Sequence, residues 1–339
     1  MRKLALRRLL DLGALLALGC LLGLSACVIN PVPTPGVNQS AGGGGWAGPG
    51  DVGAAIDSSP SFADVAPLTV EFTAKAADPL AQAQAGGQLA AWATGPSPSG
   101  RLVVLLPTAG QGVAAYAGLV QAAAAYGHRV LVLDGPWTQD VPALCGGDLG
   151  CQEAVRQEQV DGQDHGSQVT IQAADGLAVR LLRALQWLAQ NRPEGGWQSF
   201  VVGNEPAWPS VVLLGHGTAG GAAMMLAAQH AMARVGLLDA PDDGNAQGAA
   251  PWLAKHATPS AQIRGFAHLD SPKFGAVAQA WTALGLGGKA DRVDVDSQSP
   301  PYAAWRQLTT AADCDVPSLC VAQDGRYRDV WRALVGTPY

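Results

Sequence analysis

Charge is scarce in this chain: of 339 residues only 14% are charged, against 48% hydrophobic. That balance excludes a disordered polyelectrolyte and predicts a large buried core. Residues 1–26 hold four of the 21 lysines and arginines and one of the 27 acidic residues, so the chain beyond them carries 17 against 26, a net charge of −9. An acidic body with no basic cluster excludes nucleic acid as a partner, because phosphate neutralisation needs the opposite sign. No internal repeat is present, which excludes solenoids and propellers. Neither cysteine pair of the body has the CxxC spacing of a zinc site, nor histidines or carboxylates at ligand spacing in the sequence, so no metal is expected, and no other cofactor.

The amino terminus carries a processing signal. Arg2, Lys3, Arg7 and Arg8 precede the apolar run LGALLALGCLLGLSA, which is too short to span a bilayer comfortably. The stretch Leu24-Ser25-Ala26-Cys27 looks like a bacterial lipobox, so residues 1–26 read as a leader and Cys27 as the lipidated first residue of the mature protein. Cys20 fits less well, since bulky Leu18 stands where a small residue is wanted. A plain secretory leader or an uncleaved anchor is the alternative, and each exports the domain. Residues 27–62, rich in Pro, Gly and Ser, read as a flexible tether. The expected partner is therefore a membrane, reached through lipid on Cys27. Val28, in place of the aspartate associated with inner-membrane retention, points to the outer membrane or cell surface.

Four of the six cysteines remain beyond Cys27, as two pairs of equal spacing: Cys145 with Cys151, and Cys314 with Cys320. Four cysteines allow three connectivities. The local one is simplest, and it suits an oxidising compartment.

From residue 63 to 339 the hydrophobic pattern alternates. Short apolar runs (67–74, 88–94, 101–107, 128–134, 210–215, 235–239, 261–268) read as strands, and longer ones with helical spacing (112–127, 175–191, 222–234, 275–285, 327–336) as helices. Residues 136–172 leave this pattern as a Gly- and Cys-containing insertion. Alternating strands and helices predict an α/β fold: a doubly wound, mainly parallel sheet with helices on both faces.

Four groups of residues then carry a resemblance: VVLLPTAG, GHRVLVLDGPW, VVLLGHGTAGGAA and VGLLDAPDD. Their order and spacing over about residues 68–335 resemble the α/β-hydrolase superfamily, especially an exported esterase- or lipase-like bacterial branch with a cysteine-bearing insertion. The resemblance implies an α/β-hydrolase fold and a nucleophile elbow, G-x-S-x-G, at the third group. Here Gly217 stands at the nucleophile position, with Gly215 and Ala219 as the small flanks. The implied base should lie after the last strand, yet no histidine follows His268 in the final 71 residues. Two catalytic groups are missing through separate changes.

The resemblance also marks Asp242, Asp243 and Asp270 as candidates for the acid position, and the backbone amides of Thr108, Ala109 and Thr218 as an oxyanion hole able to hold an ester-like ligand or small anion. Three functions follow as expectations. The first is a non-catalytic, envelope-anchored hydrolase-fold protein whose former pocket is vestigial or binds a small ligand. The second is an active esterase with a rearranged site built on Thr218, His268 and one of those aspartates. The third is an envelope scaffold or interaction protein that uses exposed aromatic residues.

Overall fold

The run Leu102–Leu106 is buried at all five positions and Val211–His216 at all six. Strands buried on both faces need covering layers on both sides. A computed structural model describes residues 66–82, 87–94, 99–302 and 304–338. The leader, Cys27 and the tether expected over 27–62 lie outside them.

The main sheet has nine strands: β1 (Leu68–Phe72), β2 (Gln88–Trp92), β3 (Leu102–Leu106), β4 (Arg129–Val132), β5 (Val211–His216), β6 (Arg234–Leu238), β7 (Ile263–His268), β8 (Arg292–Asp294) and β9 (Gln307–Thr310). Their spatial order is β1-β2-β4-β3-β5-β6-β7-β9-β8. Only β2 runs against its neighbours, pairing antiparallel with β1 and β4. From β4 to β8 every pairing is parallel.

Successive strand residues point to opposite faces, and the two faces carry separate apolar clusters. On one, Leu102, Val104 and Leu106 pack with helices α5 (Leu177–Asn191), α6 (Gly220–Gln229) and α7 (Phe274–Ala283). On the other, Val103 and Leu105 pack with α2 (Ala117–Ala125), α8 (Pro317–Gln323) and α9 (Arg328–Val335). The short α1 (Ala74–Ala77) follows β1. A mainly parallel sheet wrapped on both faces, with the elbow strand at its centre and an antiparallel second strand, is an α/β-hydrolase fold.

Strands β8 and β9 carry no apolar run and escape the hydrophobic pattern. All four residues of β9, Gln-Leu-Thr-Thr, are buried, and their polar groups find partners. Thr310 Oγ1 donates to Asp296 (2.9 Å to Oδ1), Thr309 Oγ1 to the Val293 carbonyl (3.3 Å), and Gln307 Oε1 accepts from Arg292 Nε (3.0 Å).

The insertion is ordered. Helix α3 (Val141–Leu144) and helix α4 (Leu149–Asp161) are joined at their adjacent ends by the Cys145–Cys151 disulfide. The second disulfide, Cys314–Cys320, closes the turn that leads from β9 into α8. Both are local pairings. A loop of this size restricts the unfolded chain by about 2 kcal/mol. Replacing Cys145 and Cys151 together by serine should lower the unfolding free energy by about that amount while preserving the far-ultraviolet dichroism of the sheet, as denaturant titration would measure.

Candidate functional site

At the carboxyl-terminal edge of the sheet, β3 ends opposite Gly215 and β6 ends opposite His216. Two residues past the end of β3, Thr108 therefore stands beside Gly217, and Asp239 follows on the other side. The chain turns at Gly217 with φ +49° and enters α6 through a single 3-10 turn, Gly217–Ala219. This is the elbow conformation, held by a residue for which positive φ carries no Cβ penalty.

Space explains the missing side chain as well as strain does. A Cβ on Gly217 would lie 2.3 Å from Thr108 Oγ1, so the threonine hydroxyl occupies the volume a nucleophile would need. Around it, all three amides expected to form an oxyanion hole have partners inside the protein. Thr218 N–H donates to Thr108 Oγ1 (3.2 Å), Ala109 N–H donates to Thr218 Oγ1 (3.0 Å), and Thr108 N–H donates to the Tyr116 phenol (2.9 Å). The two threonine hydroxyls are 3.3 Å apart. The amides of Thr108, Ala109 and Thr218, expected to face an ester-like ligand, are here each engaged by a hydroxyl from the elbow, its facing loop or Tyr116.

Tyr116 and His216 extend this network below the turn. The His216 Nε2–H donates to the Ser318 carbonyl (2.8 Å), which can only accept, so Nδ1 is the acceptor for the Tyr116 hydroxyl (2.8 Å). Burial pushes the imidazole down to about 4, only partly opposed by the Ser318 carbonyl, and keeps it neutral at neutral pH. His216 is fully buried and lies beneath the vacant position. It anchors the oxyanion loop through Tyr116, a residue without any motif to mark it in the sequence.

The candidate acids have other work. Asp243 forms a bidentate pair with Arg156 of the insertion, at 2.7 and 3.1 Å, with both side chains fully buried. Burial pushes the Asp243 carboxyl up and the guanidinium opposes it. Arg156 Nη1 also donates to Gln159 Oε1 (2.9 Å) and to the Thr218 carbonyl of the elbow (3.1 Å). Gly221 makes room for the pair, since a Cβ there would lie 2.2 Å from Arg156 Nε. Asp242 accepts from Lys273 Nζ, which also donates to Asp140 of the insertion (2.9 Å). Asp270 is exposed, and only its backbone N–H reaches an imidazole, donating to His268 Nδ1 (3.1 Å).

The rearranged esterase site does not assemble. His268 is buried, with its Nε2–H directed at the Ala312 carbonyl (2.8 Å) and its Nδ1 accepting from Asp270. Both ring nitrogens are therefore engaged with backbone, and none of the hydrogen bonds of the described residues joins His268 to Thr218. A base must reach the proton that it takes. Among the described residues the one group with metal-ligand geometry is Cys314, Cys320 and Asp324; its two sulfurs are bonded to each other, which removes the thiolates a metal would need.

Asp239 is the residue at this edge that sequence reasoning missed. It ends the run VGLLD, has φ +49° without being glycine, and is 3% exposed. Ser271 Oγ donates to its Oδ2 at 2.6 Å, while Oδ1 is buried without a hydrogen-bond partner. The available signal was its place at the carboxyl end of a central strand, where ligands gather in open α/β sheets.

No family model matches the sequence, and no curated protein does. Among solved structures, the chain is similar to the esterase domain from a Rhodothermus marinus protein, at 12% identity and a TM-score of 0.39, covering 79% of this chain and 98% of that one.

Two substitutions test the site. Gly217→Ser alone should destabilise the protein by ~1–3 kcal/mol from backbone strain, with a further cost from the collision with Thr108. Adding Thr108→Gly should recover the collision part, which a double-mutant cycle by denaturant titration would resolve. Arg156→Met leaves Asp243 buried and unpaired, and should cost about 3–5 kcal/mol at neutral pH. That cost should shrink as the pH falls and Asp243 takes a proton.

Proposed function

We propose that this is a non-catalytic α/β-hydrolase-fold protein, tethered to the bacterial envelope by lipid on Cys27, that acts through its surface and not through its elbow. The observation that carries the reading is the closed set of hydrogen bonds at Gly217. Thr108, Thr218 and Tyr116 engage every amide that would stabilise a developing oxyanion, and the nucleophile's volume is filled. An oxyanion hole contributes only when its donors face the position where charge develops. The absence of any histidine after His268 removes the base as well.

The lipobox, the Pro/Gly/Ser-rich segment after it and two disulfides are consistent with export to an oxidising compartment. A ligand held by the oxyanion amides, one half of the first expectation, has no support once those amides are engaged. A tethered module that meets partners through its surface remains.

Purified full-length protein in detergent should hydrolyse short-chain p-nitrophenyl esters no faster than its Thr218→Val and His268→Gln variants. Turnover abolished by either substitution would overturn the non-catalytic reading. Separately, cells fed an alkynyl fatty acid should label the wild-type chain and not Cys27→Ala; equal labelling of both would remove the anchor.

A further inference from the structure

Besides the Arg156 bond to the Thr218 carbonyl, the polar contacts between the insertion and the elbow side of the sheet gather at the stretch Asp-Ala-Pro-Asp-Asp, residues 239–243, and the two residues after it. Asp243 takes Arg156 of α4 at 2.7 Å. Asp242 takes Lys273, which reaches on to Asp140 at 2.9 Å. Immediately after the stretch, Gly244 exchanges two hydrogen bonds with the Gln152 side chain of α4 (2.9 and 2.8 Å), and the Asn245 amide donates to the Gly147 carbonyl (3.0 Å). These polar contacts, at one end of one strand, tie α4 to the sheet.

The first residue of the stretch is under tension from three sources. Asp239 adopts a left-handed backbone that only glycine, asparagine and aspartate visit readily. Its side chain is 3% exposed with Oδ1 unpartnered, and a buried acceptor without a donor is costly. Asp242 adds a like charge from the same stretch. Lys273, in the segment after β7, supplies the opposing charge, the neutral His268 ends β7 beside it, and Ser271 donates the single hydrogen bond. Helices α6 and α7 contribute no charge at Ala240: Gly220 packs against it and Trp281 Nε1 donates to its carbonyl (2.9 Å).

We propose that residues 239–243 form a pH-sensitive latch, in which the protonation state of the buried Asp239 carboxyl sets how firmly the insertion is held against the elbow. With a proton on Asp239, the stretch tolerates burial and keeps Asp242 and Asp243 aimed at Lys273 and Arg156. Without it, a desolvated negative charge beside Asp242 favours conformations in which water reaches Oδ1. Those conformations move the two anchoring carboxylates that follow it within four residues.

The sign follows from burial, which pushes the Asp239 carboxyl up to about 6 against the Ser271 hydrogen bond. A carboxyl raised on folding contributes stability below its unfolded value, and loses it as the pH rises through the folded value. The latch therefore loosens from about pH 4, the ordinary carboxylate range, until the pH has passed the folded value of about 6. In more acidic solution, protonation of Asp140, which Lys273 holds below the usual carboxylate range despite burial, releases the insertion by a different route.

Hydrogen exchange of the full-length protein, corrected for intrinsic amide rates, tests this directly. Amides of α4 should exchange about tenfold faster at about pH 7.5 than at about pH 5, while those of β5 and β3 keep their protection. Asp239→Asn, which fits the left-handed backbone and carries no charge, should make α4 exchange flat across the range. Ser271→Ala, which removes the bond holding the carboxyl down, should shift the midpoint to higher pH. The proposal is overturned by pH-independent α4 exchange in the wild type, by an undiminished dependence in Asp239→Asn, or by loss of protection across the whole sheet. Should Asp239→Asn fail to fold, an unmoved midpoint in Ser271→Ala overturns it equally.

Discussion

A parallel strand that passes into a helix within one turn leaves backbone amides pointing off the sheet edge, and each must be paired. In a working hydrolase this requirement is left open on purpose, so that donors face the point where negative charge appears. Here it is met internally. The hydroxyls of Thr108 and Thr218 and the phenol of Tyr116 each take one amide, and the buried, neutral His216 fixes the phenol from below. An unpaired buried donor costs about 1–3 kcal/mol, so a closed set stabilises the turn that an open one would strain. The same hydroxyl that satisfies Thr218 fills the volume a side chain at Gly217 would take, so one arrangement both pairs the backbone and closes that space.

The insertion meets the same turn. The space between Asp243 and the elbow is taken by a guanidinium. Arg156 is held by Asp243, Gln159 and the elbow's own Thr218 carbonyl, a set that leaves few of its donors idle. Buried ion pairs contribute modestly to stability when complete and become costly when one member is removed. The pair consequently fixes where α4 sits more than how strongly the domain folds. Gly221 permits the close approach, so the second glycine of the Ala-Gly-Gly run serves electrostatics at the helix start as well as steric clearance.

Much of the fold was legible because buried parallel strands announce themselves as unbroken apolar runs. LVVLL and VVLLGH are buried throughout, and the elbow could be placed in frame from the strand before it and the helix after it. Strand β9 was illegible for the same reason inverted: its threonines and glutamine are buried by pairing with side chains distant in sequence, and periodicity does not record partners. At the site, the vacancy at Gly217 could be read from one letter. Its occupant could not, since Thr108 lies 109 positions away and becomes a neighbour only through the β3–β5 pairing. The partners of Asp242 and Asp243 were not legible because a carboxylate's function depends on which cation reaches it, and Arg156 and Lys273 arrive from the insertion and from beyond β7.

Strain persists in a protein where the surroundings over-determine it, and it gathers where a group is in use. At the elbow that strain has gone: glycine relaxes the turn and three side chains quiet the amides. One position across the sheet, Asp239 keeps a left-handed backbone, full burial and an oxygen without a partner. Asparagine would satisfy the same backbone without a charge to desolvate, so sterics alone do not require an acid there. An ionisable group held at a loss beside a site that has shed its own losses marks where this molecule still responds to its solution. It stands at the root of the contacts that hold the insertion down. At this edge of the sheet the fold then has a means of setting how tightly one segment is fastened to another.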